Sequence, residues 1–187
     1  MLKDESYQRL FAAIDESNHG FDNEIFAIVI SPFQGDADFF QSTSQLRATR
    51  KTANQRLWIP LRKRDFRYAI VNRAHYEKYG QHQLIREVTR ELVRGIEQEY
   101  GGLDLFIDGH LTSKQRGAVK REVAKVAFLK YPEIGIHSVP KRKDENKEFK
   151  ANYLIQISDC LANYLFRNYT NPELEKGKIS RRRVRFD

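Results

Sequence analysis

Three short apolar runs, each closed by turn-forming residues, fall within the first 72 residues and set the terms of the fold. Tyr7–Ile14 ends in Leu10-Phe11-Ala12-Ala13-Ile14 and gives way to Asp15-Glu16-Ser17-Asn18. Glu24–Ser31 carries Ile25 through Ile30 and stops at Pro32, and Asp65–Asn72 carries Phe66, Tyr68, Ile70 and Val71. Runs of this length between polar turns read as strands. The first two are apolar enough to be covered on both faces, and the short polar loop between them favours an antiparallel hairpin. An irregular helix is expected around Phe39–Gln55.

The period then changes. Leu84, Ile85, Val88, Leu92, Val93 and Ile96 recur at three and four positions, so Gln81–Tyr100 reads as a helix ended by Gly101-Gly102. Leu103–Ile107 is a fourth strand running into Asp108-Gly109. Ser113–Lys130 is a second helix, opened by Thr112 or Ser113, and Ile134–Val139 a fifth strand. Phe149–Tyr169 is the last helix, broken by Asn171-Pro172. The order β-β-β-α-β-α-β-α implies an α/β fold, a mixed five-stranded sheet with helices on both faces. Residues 1–170 read as one domain and 171–187 as a basic tail.

At 187 residues, with 40% hydrophobic and 12% aromatic content, the chain is globular and buries a core without staples. Its one cysteine, Cys160, excludes disulfides within the chain and points to a reducing compartment. The longest apolar run, Ile25–Ile30, is too short for a membrane span. Met1-Leu2-Lys3-Asp4-Glu5 lacks the apolar region of a signal peptide. A cytoplasmic protein without a membrane partner is expected.

Charge is distributed unevenly. Thirty-three Lys and Arg face twenty-five Asp and Glu, a net charge of +8. Between Phe39 and His75 stand Arg47, Arg50, Lys51, Arg56, Arg62, Lys63, Arg64, Arg67 and Arg73, with Asp65 the single acid and Trp58, Phe66 and Tyr68 interleaved. Lys141-Arg142-Lys143 precedes the last helix, and Lys176, Lys178, Arg181, Arg182, Arg183 and Arg185 close the chain. Each cluster alone is also what a solvated surface carries. Three in one small domain, with aromatic punctuation, suit a nucleic-acid backbone.

Asp159 is the acid hardest to place as surface charge. Ile155, Gln156, Ala162 and Asn163 are its neighbours at three and four positions, so no cation lies within helical reach. Asn152, Gln156, Asp159 and Asn163 share an arc of about 60° on an otherwise apolar helix. Asp15 and Asp108 each close an apolar strand, where side chains project into the crevice favoured for ligands. With strands one and four adjacent and parallel, Asp15, Asp108 and Asp159 converge on one point. Carboxylates about 4 Å apart repel by roughly 4 kcal/mol per pair at an effective dielectric of 20. Divalent cations or protonation relieve that, and all-oxygen donors favour Mg²⁺ or Mn²⁺ over Zn²⁺. The competing reading makes Asp15 and Asp108 turn-capping residues and Asp159 part of a buried network with Gln156 and Asn163. Glu16 shares the site only where the strand ends and bends. Glu24, Asp22, Asp144 and Glu145 are further acids within range.

In element order and in these acids the chain resembles the ribonuclease H superfamily. Ile14-Asp15-Glu16-Ser17-Asn18 and Gln156-Ile157-Ser158-Asp159 resemble the Asp-Glu-Ser-Gly opening and Gln-x-x-Asp close of an uncharacterised family, domain of unknown function 3800. Asp15-Glu16-Ser17-Asn18-His19-Gly20 and Asp108-Gly109 are similar to motifs of type 2 ribonuclease H, with Asn18 for a glycine and His19 for a basic residue. The resemblance implies a ribonuclease H-like fold and two-metal hydrolysis of phosphodiester bonds in DNA, RNA or a hybrid. Asp15, Glu16, Asp108 and Asp159 would be both catalytic residues and Mg²⁺ or Mn²⁺ ligands. Gln156 and Asn163 would support Asp159, and His19 or His110 would shuttle a proton. Arg47, Arg50, Lys51, Arg56, Arg62, Lys63, Arg64, Lys141, Arg142 and Lys143 would grip the substrate. A catalytically silent module on the same scaffold, binding nucleic acid or a protein partner, is the alternative.

Overall fold

The computed structural model describes residues 9–17, 23–42, 57–96, 101–127, 133–139, 149–168 and 179–186. In chain order the elements are β1 (Arg9–Ser17), β2 (Glu24–Ser31), β3 (Phe39–Ser42), a short helix α1 over residues 57–61, β4 (Asp65–Val71), α2 (Arg73–Val93), β5 (Gly102–Asp108), α3 (Ser113–Val126), β6 (Ile134–Val139), β7 (Phe149–Asn152), α4 (Tyr153–Asn168) and β8 (Arg183–Val184). A six-stranded mixed sheet runs β6-β5-β1-β2-β4-β8, and β3 and β7 form a separate two-stranded ribbon. The β1–β2 hairpin is antiparallel, as is β2–β4. The β1–β5, β5–β6 and β4–β8 pairs are parallel.

Strand alternation splits the core into two layers. Leu10, Ala12 and Ile14 of β1, with Phe26, Ile28 and Ile30 of β2, pack against Leu84, Val88 and Leu92 of α2 and Val119 and Val123 of α3. Ala13, Ile25, Ala27, Val29 and Phe106 face the other way, against Leu154, Ile157, Leu161 and Leu165 of α4. Both faces of the central strands are therefore covered, which is why their sequences read as continuous apolar runs.

Several boundaries differ from the sequence expectation, each for a local reason. β1 runs three residues beyond Ile14, because Asp15, Glu16 and Ser17 still pair with Ala27, Phe26 and Ile25. Asp15 is thus a strand residue and not part of a turn. Asn72 and His75 form a reciprocal capping box, so α2 starts at Arg73; Gly80, at φ 68°, interrupts it, and Gln81 opens its second segment. Phe149–Asn152, expected as the start of the last helix, is a strand paired with Phe39–Ser42, itself expected as irregular helix. Asn152 then accepts the Ile155 amide on Oδ1 at 2.9 Å and starts α4 as its cap, outside the polar stripe assigned to it. The stretch expected as a basic tail supplies β8, a sixth strand, and Phe186, which packs on His75 and Tyr79. The remainder of the helix expected over Phe39–Gln55, residues 43–55, lies outside the described residues.

Candidate active site

Parallel pairing of β1 with β5 sets Arg9 opposite Gly102 and Ile14 opposite Ile107. One step further stand Asp15 and Asp108, on neighbouring strands whose separation is about 4.8 Å. Ala13 and Phe106, two positions before each, belong to the layer under α4, so by alternation both acids face that helix. Both are buried, Asp15 at 1% and Asp108 at 8% exposure. The Glu16 amide donates to Asp15 Oδ1 at 2.9 Å and orients that carboxylate.

α4 carries the third acid of the expected set, Asp159. The Ser158 hydroxyl donates to the Ala13 carbonyl at 2.8 Å, pinning the helix onto β1 beside the strand's acidic end. Asp159 follows directly. Asn163 Nδ2 donates both to Asp159 Oδ1 and to its backbone carbonyl, each at 2.8 Å. That bond is half of the side-chain network anticipated for Asp159, and Gln156 is half-buried one turn earlier. Burial pushes the Cys160 thiol up, and the charges of Asp159 and Asp15 push it further. The fields of these two acids therefore meet at one side chain.

The turn after Asp108 is clamped. Gly109 lies at φ 107°, a conformation that disfavours side chains. Ser138 Oγ donates to the Gly109 carbonyl at 2.7 Å and accepts the Leu111 amide at 2.9 Å. Asp104, on the same face of β5, has a different role. It accepts from His137 at 2.9 Å and from Arg9 at 2.8 Å, contacts that hold its carboxyl below the usual range.

Glu16 is directed elsewhere. It stands opposite Phe26, in the layer under α2 and α3. Burial first, and the Glu16 charge second, raise the buried Glu24 carboxyl to about 8. The structure thus separates Asp15, Asp108 and Asp159, on the α4 side, from Glu16 and Glu24 on the other. Among the described residues no group of three or more His, Cys, Asp or Glu side chains is arranged to hold a metal ion. The donor chemistry fits a hard cation all the same. Two buried carboxylates on adjacent strands supply oxygen donors, which suit Mg²⁺ or Mn²⁺.

Of the expected phosphate-gripping residues, Arg62 and Lys63 are exposed. Arg64 is not available for that role. Its guanidinium forks onto Asp36, with Nε to Oδ2 and Nη2 to Oδ1 both at 2.6 Å, and Nη1 donates to the Pro60 carbonyl at 2.6 Å. Arg47, Arg50, Lys51, Arg56, Lys141, Arg142, Lys143 and His19 lie outside the described residues, and His110 is exposed. Sequence reasoning missed Ser158, although it sits inside Gln156-Ile157-Ser158-Asp159. A small hydroxyl on the buried face of an apolar helix was the available signal.

Solved structures of the same architecture exist. The PCNA:RNase HII complex from Archaeoglobus fulgidus matches at a TM-score of 0.57 and 12% identity, over 89% of this chain and 77% of that one. Ribonuclease H2 from Pyrococcus horikoshii OT3 matches at 0.52 and 12%, over 91% and 77%. Bst-RNase HIII in complex with Mn²⁺ matches at 0.54 and 14%, over 92% of this chain and 56% of that one. The fold is ribonuclease H-like. No protein-family model and no curated protein matches the chain, so the likeness to domain of unknown function 3800 rests on its two motifs alone.

Proposed function

We propose that the protein is a divalent-metal-dependent nuclease that hydrolyses phosphodiester bonds. The placement of Asp15 and Asp108 side by side beneath the helix that carries Asp159 is the observation behind this reading. Asp15, Asp108 and Asp159 are the residues that would hold the metal. When bound, Mg²⁺ or Mn²⁺ supplies a water of lowered pKa and neutralises charge on the leaving 3′ oxygen. The Mn²⁺ carried by Bst-RNase HIII supports the choice of ion.

The chain's own groups do the positioning. The Glu16 amide sets the Asp15 carboxylate, Asn163 sets Asp159, and Ser158 fixes the helix to the strand. Burial of Asp15 and Asp108 keeps bulk water from competing for their oxygens. Glu16, opposite Phe26 in the layer under α2 and α3, stands apart from these three acids and is left out of the ion-holding set. Arg47, Arg50, Lys51, Arg56, Arg62, Lys63 and Lys141–Lys143 supply phosphate contacts, and affinity falls by roughly one log unit per log unit of salt for each.

A cleavage screen of single-stranded, duplex and hybrid substrates with Mg²⁺, Mn²⁺ or chelator tests the reading. Asp15→Asn and Asp159→Asn are each expected to abolish cleavage and leave nucleic-acid binding nearly intact. Metal-dependent cleavage retained by both purified variants rejects the assignment. The lack of a ready-made cation cluster among the described residues favours a second reading, a silent binding module. Calorimetric titration with Mn²⁺ separates the two, because the module shows no specific binding.

A further inference from the structure

The α4 side of the sheet also carries aromatic rings that the nuclease reading leaves unused. Phe33, Phe39 and Tyr153 expose 46%, 49% and 39% of their surface. Two of them are held by a largely buried ion pair. The Arg64 guanidinium, clamped by Asp36, lies 5.8 Å from the Phe33 centroid and 5.2 Å from that of Tyr153. Ser31 Oγ donates to the same Asp36 carboxylate, which fixes it further. A buried ion pair adds little stability over an apolar one. Its visible consequence here is two rings anchored on one cation with much of their surface open.

Phe39 continues the array toward the acids. It meets Phe106 edge-on, with centroids 5.6 Å apart at 73°. Phe106 precedes Asp108 by two positions on the same face, roughly 7 Å along the strand. In the ribbon Phe39 stands opposite Asn152, the residue before Tyr153. The exposed cations Arg62 and Lys63 immediately precede Arg64 in the chain.

We propose that Phe33, Phe39 and Tyr153 form a stacking platform for the bases of a single-stranded nucleic acid, with Arg62 and Lys63 attracting its backbone. The destination of that strand, the Asp15–Asp108 pair, rests on the nuclease reading; the platform itself does not. Exposed rings interleaved with cations suit unpaired bases, whose faces stack without regard to sequence. A duplex offers no such faces except at its ends.

Fluorescence anisotropy tests the proposal with a labelled oligothymidine and a duplex of equal length, in chelator so that nothing is cut. Phe33→Ala, Phe39→Ala and Tyr153→Ala should each weaken the single strand roughly 5- to 150-fold, with duplex affinity unchanged. The salt dependence of single-strand binding should keep its slope in the ring variants and flatten in Arg62→Ala/Lys63→Ala. Phe33→Trp and Tyr153→Phe should retain affinity. Equal losses on both probes, or no loss on the single strand, overturn the platform. Cleavage that depends on Asp15 together with ring-independent binding sinks the platform alone. Ring-dependent binding with cleavage indifferent to Asp15→Asn sinks the nuclease reading alone.

Discussion

Glu24 offers the sharpest quantitative test of the packing around the candidate site. It opens β2 at 2% exposure, opposite Val71 of β4. Burial, and then the Glu16 charge, lift its carboxyl from an ordinary 4.5 to about 8. The folded protein therefore holds a proton there through a pH range in which the unfolded chain has lost it. Stability contributed in this way is fully present below about 4.5 and is lost as pH rises through about 8. The slope within that window is about 1.4 kcal/mol per pH unit, so the wild type should lose roughly 3–4 kcal/mol between pH 5 and 8 from this one group.

Glu24→Gln keeps the shape and removes the titration. Urea unfolding of both proteins in chelator at pH 5, 6, 7 and 8 measures the effect, because every other group titrates alike in the two. The stability difference should move steadily in favour of the glutamine variant as pH rises. Glu16→Gln should lower the upper end of this pH window without closing it, since burial is the larger cause. Parallel stability curves for the wild type and Glu24→Gln across the range would refute the reasoning.

Four further outcomes follow from local structure. Arg64→Ala leaves the Asp36 carboxylate buried without its guanidinium and should cost about 3–5 kcal/mol by urea unfolding. Burial alone raises Asp36, but hydrogen bonds from Arg64 and Ser31 and the Arg64 charge bring it below the ordinary value. The stability it contributes is therefore present above about pH 4 and declines as acid protonates it, a pH dependence that Asp36→Asn should remove from the same unfolding curves. Gly109→Ala places a side chain at φ 107° and should cost more than about 1 kcal/mol, read as a lower melting temperature. Phe186→Ala should cost about 3 kcal/mol in urea, because the ring is buried against His75 and Tyr79; a negligible change would mean that the chain's last residues add nothing to the fold.

What the sequence disclosed depended on how local the physics was. β2 and β6 match their expected bounds, β2 as a continuous apolar run stopped by Pro32 and β6 as a short stretch stopped by Pro140. The parallel pairing that places Asp15 beside Asp108 stood only as a condition at the level of sequence, because element order implies a mixed sheet without fixing which strands are neighbours. The β3–β7 ribbon was not legible, because 107 residues separate Ser42 from its partner Phe149, and neither strand alternates clearly. Arg64 looked like surface charge because its partner Asp36 stands 28 residues away and carries no pattern that marks it. β8 was hidden for a related reason: two residues paired at the edge of a sheet leave almost no periodicity to read.

The choice of which β1 acid faces α4 is set by side-chain size. Under that helix lie Ala13 and Ala27, and the small pair lets α4 approach closely enough for Ser158 to reach the Ala13 carbonyl. On the opposite face Ile14 stands across from Ile28. A slip of β1 by one residue would reverse every side chain, bringing Glu16 under α4 and burying Asp15 beside Glu24. It would also thrust Ile14 into the space that Ala13 fills, an overpacking that costs roughly 1–3 kcal/mol, and would break the Ser158 bond. The alanines that look like unremarkable core residues are therefore what assigns Asp15, and not Glu16, to the proposed cation-binding side of the sheet.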